Sequence, residues 1–97
     1  MRIISRKTLK QFWEKHVDAK GWLEDWCAEA KSSEWKSPEE IKKRYSSISV
    51  LNDNRAVFNV CGNNYRLIVK IHYKYEIIYI RFIGTHAEYD KINANKI

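Results

Sequence analysis

Six side chains suited to phosphate binding and proton transfer fall within one stretch of the sequence, residues 65–90. The stretch reads YRLIVKIHYKYEIIYIRFIGTHAEYD, and its candidates are Arg66, Lys70, Tyr79, Arg81, His86 and Tyr89. Guanidinium groups bind phosphate oxygens in pairs, and a histidine can exchange a proton near neutral pH. Lysine, arginine and tyrosine are equally common on the solvated face of an ordinary antiparallel sheet. The residues alone therefore leave two interpretations open, an enzyme surface and a basic hairpin.

The charge of the chain favours a polyanionic partner. The net charge is +6, and residues 54–97 contain 7 Lys or Arg against 3 Asp or Glu, whereas residues 1–53 contain 11 against 9. A basic surface attracts polyanions, of which nucleic acid is the commonest. A length of 97 residues predicts one domain, with disorder expected only at residues 93–97.

The sequence carries no sign of a membrane or secretory location. No apolar run approaches the ~20 residues of a membrane span, and the N-terminus lacks the apolar centre of a signal peptide. The two cysteines, Cys27 and Cys61, have no disulfide-framework spacing. We therefore expect a cytoplasmic protein with free thiols.

The N-terminal half predicts helices after a short strand at residues 2–5. Apolar residues at positions 9, 12, 13, 16 and 17, and again at 23, 26, 27 and 30, predict two antiparallel helices over 6–16 and 19–32. One long helix also fits, because the two apolar stripes are nearly in phase. Ser37, Pro38 and Glu40 predict a capping box that opens a short helix ending near Tyr45.

The C-terminal half predicts strands. Residues 46–55 are typical of a loop, followed by strands over 56–60, 65–73 and 77–83 and a turn at 61–64. Thr85 and Glu88 predict a second capping box, which opens a short terminal helix. The predicted fold class is α+β: a small twisted antiparallel sheet with two main N-terminal helices on one face, in the order β-α-α-(α)-β-β-β-α.

Side-chain alternation predicts which residues share each face of this sheet. One register joins Leu67, Val69 and Ile71 to Ile78, Ile80 and Phe82, as an apolar face for the helices. The same register places Arg66, Lys70 and His72 with Tyr79 and Arg81 on the other face. The opposite register would bury Arg81 unpaired, which is costly. Few acids lie nearby in sequence, so we expect the charges of the second face to be unpaired.

Two segments resemble a known family. FNVCGNNYRLIVKIHY (58–73) and YIRFIGTHAEYDKI (79–92) closely resemble HigB-type toxins, which are RelE-like mRNA interferases of type II toxin–antitoxin systems. The resemblance is weaker over the helices, and Cys61 stands where glycine is frequent. It implies two helices on one face of a small sheet and ribosome-dependent cleavage of mRNA. It also implies a HigA-like helix-turn-helix antitoxin, with DNA contacted only through that antitoxin.

The resemblance implies RNA cleavage without a metal, in which the ribose 2′-OH attacks the phosphate. Such a reaction needs a base, an acid and cations that stabilise the phosphorane. We predict that the catalytic residues are Arg66, Arg81, His86 and Tyr89. Lys70 would bind RNA or act as a base, and Asp90 would orient either His86 or Arg81. His72 is expected to be peripheral, His16 structural, and the four tryptophans either core or antitoxin contacts.

A second basic group surrounds the Pro38 helix. We predict that it contacts ribosomal RNA through Lys36, Lys42, Lys43 and Arg44, although a solvated helix face would have the same residues. No cofactor is expected, and no metal-ligand spacing is present. Two other functions stay open: a basic RNA-binding or regulatory domain without catalysis, and a protein that only holds a partner.

Overall fold

The computed structural model describes all residues 1–97, which form four α-helices and one five-stranded sheet. The helices are α1 (Arg6–Lys15), α2 (Lys20–Ser32), α3 (Pro38–Arg44) and α4 (His86–Asp90). The strands are β1 (Arg2–Ile4), β2 (Ser49–Val50), β3 (Arg55–Val60), β4 (Tyr65–His72) and β5 (Ile77–Thr85). The predicted α+β fold class is confirmed.

The helical region is broken at one residue. His16 has φ −119° and ψ 77°, outside the helical range, and a 3₁₀ turn over Val17–Ala19 leads into α2. Two helices are therefore present, and the alternative of one long helix is wrong. At α3 the Ser37 side chain makes no capping hydrogen bond, so that predicted capping box is wrong. The Glu40 carboxylate instead accepts a hydrogen bond from the Lys36 backbone N–H at 2.9 Å.

The strands lie in the order β1-β5-β4-β3-β2, and the sheet is mixed rather than wholly antiparallel. β3, β4 and β5 are antiparallel neighbours, as predicted, whereas β1 runs parallel to β5 with Arg2 opposite Ile77. A parallel pair needs a long crossover, which α1 and α2 help to supply. β2 pairs with β3 inside the segment predicted as a loop. Two residues are too few for alternation to indicate a strand.

The helices cover one face of the sheet, where the core lies. The buried core includes Leu9, Trp13, Leu23, Trp26 and Ile41 from the helices and Phe58, Leu67, Val69, Ile71, Ile78 and Ile80 from the sheet. Burying each large aliphatic side chain contributes about 1.5–3 kcal/mol. The predicted helix-facing residues of β4 are therefore confirmed.

A β-bulge changes the alternation of β5. The predicted register holds at its start, where Ile71 pairs with Ile78, Lys70 with Tyr79 and Val69 with Ile80. The register then skips Arg81, so that Ile68 pairs with Phe82 and Leu67 with Ile83. The extra residue inverts the faces beyond it.

Two face assignments were wrong because of this bulge. Phe82 was predicted to face the helices, but it shares the opposite face with Ile68. Ile83 was predicted on that opposite face, but it packs against the helix-side core. Alternation from sequence assumes an uninterrupted strand, and nothing in the residue types of β5 indicates the extra position.

The second face is partly covered. Ile68 and Val57 are opposite one another on β4 and β3, and both are buried although they lie outside the helix-side core. α4 packs against β4 and β5, and the chain beyond it returns to β3. There the Arg55 Nε donates to the Ile97 carbonyl at 2.9 Å, so Ile97, in the segment where we expected disorder, contacts the sheet.

Candidate active site

The short helix α4 carries His86 and Tyr89, and a capping box holds its start. The Thr85 hydroxyl accepts from the Glu88 N–H at 3.1 Å, and the Glu88 carboxylate accepts from the Thr85 N–H at 2.8 Å. The predicted capping box is therefore confirmed. The hydrogen bond from the Thr85 backbone lowers the pKa of Glu88. A helix of five residues is not stable alone, so the cap and the contacts with the sheet hold it in place.

His86 is oriented from two sides. Its backbone N–H donates to the Asn64 carbonyl at 3.2 Å, which ties α4 to the β3–β4 turn. Its ring Nδ1 lies 3.0 Å from an Asp90 carboxylate oxygen one helical turn later. Of the two predicted roles for Asp90, the contact with His86 is the one observed. A carboxylate at Nδ1 favours the tautomer that leaves Nε2 free to accept a proton.

Arg66 lies beside Tyr89. Its guanidinium carbon is 5.9 Å from the centre of the Tyr89 ring, within the range of a cation–π contact. Its Nη1 donates to the carbonyls of Asn63 at 3.1 Å and Tyr65 at 3.2 Å. The Nε and Nη2 donors of Arg66 make no hydrogen bond with the protein. They are therefore available for a phosphate, which guanidinium binds through two nitrogens.

Gly84 lies opposite Arg66 and makes room for an aromatic ring. A Cβ atom at position 84 would lie 2.5 Å from Cζ of Phe82. The Phe82 ring therefore lies over the Gly84 backbone on the face that carries Arg66. Sequence reasoning missed this ring, because it placed Phe82 on the helix side.

Lys70 is ion-paired. Its Nζ lies 2.8 Å from an Asp53 carboxylate oxygen, and Arg55 Nη1 is 3.2 Å from the same oxygen. The hydrogen bond and charge of Lys70, followed by Arg55, lower the pKa of Asp53. The expectation that charges on this face are unpaired is wrong here. The sequence reasoning missed the pair because Asp53 lies 17 positions before Lys70, in a turn with positive φ at Asp53 and Asn54.

Arg81 is the exposed extra residue of the bulge, and its side chain makes no hydrogen bond or ion pair. It lies three residues before Gly84, about 10 Å along the strand from the position opposite Arg66. Of the four predicted catalytic residues, His86 and Tyr89 lie on α4, and Arg66 lies beside Tyr89. Arg81 lies further along β5.

Two members of the predicted RNA-binding group around α3 are held in ion pairs. Lys36 pairs with Glu76 of the β4–β5 turn at 3.7 Å, and Arg44 pairs with Glu29 of α2 at 2.8 Å. Lys42 and Lys43 are exposed without ion pairs. Exposed pairs of this kind are weak, and a phosphate can replace the carboxylate.

The remaining candidates have structural positions. His16 stacks on Phe12 with ring centroids 4.3 Å apart and meets the edge of Tyr65, as expected for a structural residue. Trp13, Trp26 and Trp35 are buried in the core, which is one of the two positions predicted for the tryptophans. Trp22 is half-buried against the core.

Neither a metal cluster nor a membrane helix is found. No three His, Cys, Asp or Glu side chains come together as metal ligands. Both cysteines are free, and burial raises the pKa of each thiol. None of the helices has the length and apolar character needed to cross a bilayer.

Comparison with known proteins shows the family to which this chain belongs. A family model described as HigB_toxin, RelE-like toxic component of a toxin–antitoxin system, matches residues 19–92. The mRNA interferase toxin HigB of Escherichia coli (strain K12) is 32% identical over 96 residues, covering 97% of this chain and 92% of that protein. The mRNA interferase HigB of Shigella flexneri has the same identity and coverage. The mRNA interferase HigB of Escherichia coli O6:H1 is 27% identical over 94 residues, covering 95% and 91%.

The chain therefore belongs to the HigB toxin family, and the resemblance found in the sequence is confirmed. It is the toxic component of a toxin–antitoxin system, which implies an antitoxin as its partner.

Proposed function

We propose that this toxin is an mRNA interferase, an endoribonuclease that cleaves mRNA engaged by the ribosome. The observation that carries the proposal is the group on and beside α4, where Arg66 lies over the Tyr89 ring and Asp90 contacts the His86 ring. This group combines a cation for phosphate, a proton-transfer residue with its orienting carboxylate, and an aromatic ring. The relatives named mRNA interferase support the same activity.

The reaction begins when the ribose 2′-oxygen attacks the adjacent phosphorus. The P–O5′ bond then breaks, which leaves a 2′,3′-cyclic phosphate on one fragment and a 5′-hydroxyl on the other. His86 takes part in the proton transfers, through the Nε2 that the Asp90 contact leaves free. Arg66 neutralises the charge that develops on the phosphorane, where a fixed donor has its largest effect.

Tyr89 and the more distant cations complete the site. The Tyr89 ring stacks on a splayed base or donates a proton from its hydroxyl. Arg81 and Lys70 bind the RNA backbone on the same sheet, and Lys36, Lys42, Lys43 and Arg44 contact ribosomal RNA. Catalysis by this route uses no metal and no cofactor.

The setting of this activity is the cytoplasm, where the toxin meets translating ribosomes. Its antitoxin is a HigA-like helix-turn-helix protein, and the toxin reaches DNA only through that antitoxin. Two of the predicted cations, Arg81 and Lys70, lie away from α4, so the catalytic group on α4 lacks them. A site that is incomplete in the free toxin fits a dependence on the ribosome.

Primer extension in a defined translation reaction tests the proposal. We expect cuts within the message when ribosomes translate it, no cuts in the same RNA without ribosomes, and loss of cutting when the antitoxin is added. A well-folded wild type that binds RNA without cutting translated message would contradict the enzyme and leave a basic binding domain. Cuts of equal intensity in free RNA would contradict the dependence on the ribosome.

A further inference from the structure

The turn between β4 and β5 carries an exposed aromatic pair that the proposed catalytic site does not use. His72 and Tyr75 stack with ring centroids 4.5 Å apart and an interplanar angle of 27°. Tyr75 is 64% exposed, whereas every other tyrosine of the chain is buried or half-buried. A single exposed apolar side chain needs no ligand to explain it. Three further features distinguish this turn.

The first feature is that the turn is held in place. The Tyr75 backbone N–H donates to the His72 Nδ1 at 3.4 Å, and the Glu76 N–H donates to the Tyr73 carbonyl at 3.3 Å. The Glu76 carbonyl in turn accepts from the Arg2 N–H of β1 at 2.8 Å. Rings that are already held lose little conformational entropy when a third ring stacks on them.

The second feature is an excess of cations around the rings. Lys74 Nζ lies 5.7 Å from the centre of the Tyr75 ring, and Lys36 reaches Glu76 at 3.7 Å. Arg2 adds a third cation, since it leads β1 beside the turn and is exposed. The nearby acids are Glu76, which is paired with Lys36, and Glu39, whose charge adds to burial in raising the pKa of Tyr73.

The third feature is the position of the pair relative to the proposed active site. His72 lies on β4 with the same alternation as Arg66 and Lys70, so the three side chains point to one face. Six residues separate Arg66 from His72, which corresponds to about 20 Å along the strand. An RNA strand that follows β4 from Arg66 therefore passes Lys70 and then reaches the stacked rings.

We propose that His72, Lys74 and Tyr75 form a second RNA subsite that stacks an unpaired nucleobase of single-stranded RNA. Its backbone phosphates lie beside Lys74 and Lys36. The inference rests on the proposed function, because it requires a toxin that acts on RNA. The ligand chemistry is shared by two sources, the message itself and an unpaired nucleotide of ribosomal RNA. Cations beside stacked rings are typical of single-strand binding, which favours RNA over a protein partner.

The test measures binding separately from cleavage. A labelled 2′-O-methyl single-stranded oligonucleotide, which has no 2′-OH to attack, is titrated with Tyr75→Leu, Tyr75→Phe and wild type, and anisotropy is recorded. We expect Tyr75→Leu to bind about tenfold more weakly, because stacking on an aromatic ring is lost, and Tyr75→Phe to bind like wild type. Lys74→Ala is compared with Lys10→Ala, an exposed lysine of α1 that removes the same charge. Co-sedimentation with ribosomes forms the second arm.

Each outcome bears on the proposal. Weaker oligonucleotide binding by Tyr75→Leu supports a subsite for the message, and weaker binding to ribosomes alone supports one for ribosomal RNA. Unchanged binding in both arms overturns the subsite. If the wild type cleaves translated message but Tyr75→Leu binds normally, the subsite fails and the proposed function stands. If the wild type neither binds RNA nor cleaves it, both fail.

Discussion

At the scale of single residues, the proposed site depends on which carboxylates touch which cations and rings. Asp90 contacts the ring of His86, and Asp53 contacts Lys70, so two of the acids on this face act on two candidate residues. We expect the first contact to favour RNA cleavage and the second to weaken RNA binding. In the proposed mechanism Asp90 would orient a proton-transfer residue, whereas Asp53 would compete with phosphate for Lys70.

Asp90→Asn should lower the rate of mRNA cleavage by at least about tenfold, because an amide no longer holds His86 Nδ1 as a charged acceptor. The substitution keeps the size of an exposed side chain, so the melting temperature should not change. Single-turnover cleavage on translating ribosomes gives the rate. An unchanged rate would show that the His86–Asp90 contact has no catalytic role.

Asp53→Asn should strengthen binding of single-stranded RNA, because Lys70 and Arg55 lose their shared carboxylate. Asparagine tolerates the positive φ of position 53, so the turn should be kept. For each additional phosphate that the protein neutralises, the slope of the logarithm of the association constant against the logarithm of salt concentration becomes more negative by about 0.7. Asp25→Asn on α2 makes the same charge change elsewhere. Equal salt slopes in the two variants would contradict the competition between Asp53 and phosphate.

At the scale of elements, β5 and α4 position the site. β5 contains one residue more than its partner, and that residue is Arg81. Without Arg81, the side chains of Ile80, Phe82 and Ile83 would alternate between the two faces as in a regular strand. Each would keep its present partner on β4. Removal of Arg81 would therefore leave the pairs on both sides of the bulge, Val69 with Ile80 and Ile68 with Phe82, as they are.

Deletion of Arg81 should give a protein that folds with a melting temperature close to that of wild type. Its cleavage rate should fall by the same factor as that of Arg81→Ala, because both variants lose the same contact with the RNA backbone. The melting temperature and the single-turnover rate are measured for both. Full activity in either variant would remove Arg81 from the site, and unfolding of the deletion variant would show that the sheet requires the bulge.

Thr85→Ala should destabilise the protein by about 1 kcal/mol, since the N-cap of α4 is lost. Cleavage should fall as well, because α4 carries His86 and Tyr89. Chemical denaturation and the cleavage assay give the two values. A variant with wild-type activity would show that the cap does not position the catalytic side chains.

The same cap predicts a dependence on pH. The pKa of Glu88 is lowered in the folded protein, so its contribution to stability is present above the pKa of an unfolded glutamate and is lost as pH falls through the lowered value. Glu88→Gln can still form the box but does not titrate. Its melting temperature should therefore decline less than that of wild type below about pH 4.

At the scale of the molecule, most of the fold could be predicted from the sequence. The apolar stripes of α1 and α2 and the alternation in β4 reflect burial, which the residue types record directly. The bulge, the parallel pairing of β1 and the two-residue β2 depend on contacts between distant segments. For the same reason the Lys70–Asp53 pair was missed, whereas the contact between His86 and Asp90, one helical turn apart, was one of the two alternatives predicted for Asp90.

The distribution of the candidate residues suggests how the whole molecule works. The helix-side face is filled by the core, so the opposite face is the one left for RNA, with α4 at one end of β4 and the His72–Tyr75 pair at the other. Between them lies Lys70. A net charge of +6 draws this surface towards a polyanion.

Primer extension on translated message with Arg66→Ala, His86→Ala and Lys10→Ala tests the central claim most directly. We expect that cutting falls by roughly 10²–10⁴ in His86→Ala, falls strongly in Arg66→Ala, and is unchanged in Lys10→Ala. Circular dichroism establishes that each variant is folded. Wild-type cutting by both folded variants, Arg66→Ala and His86→Ala, would contradict the claim that the start of α4 is the active site of this toxin.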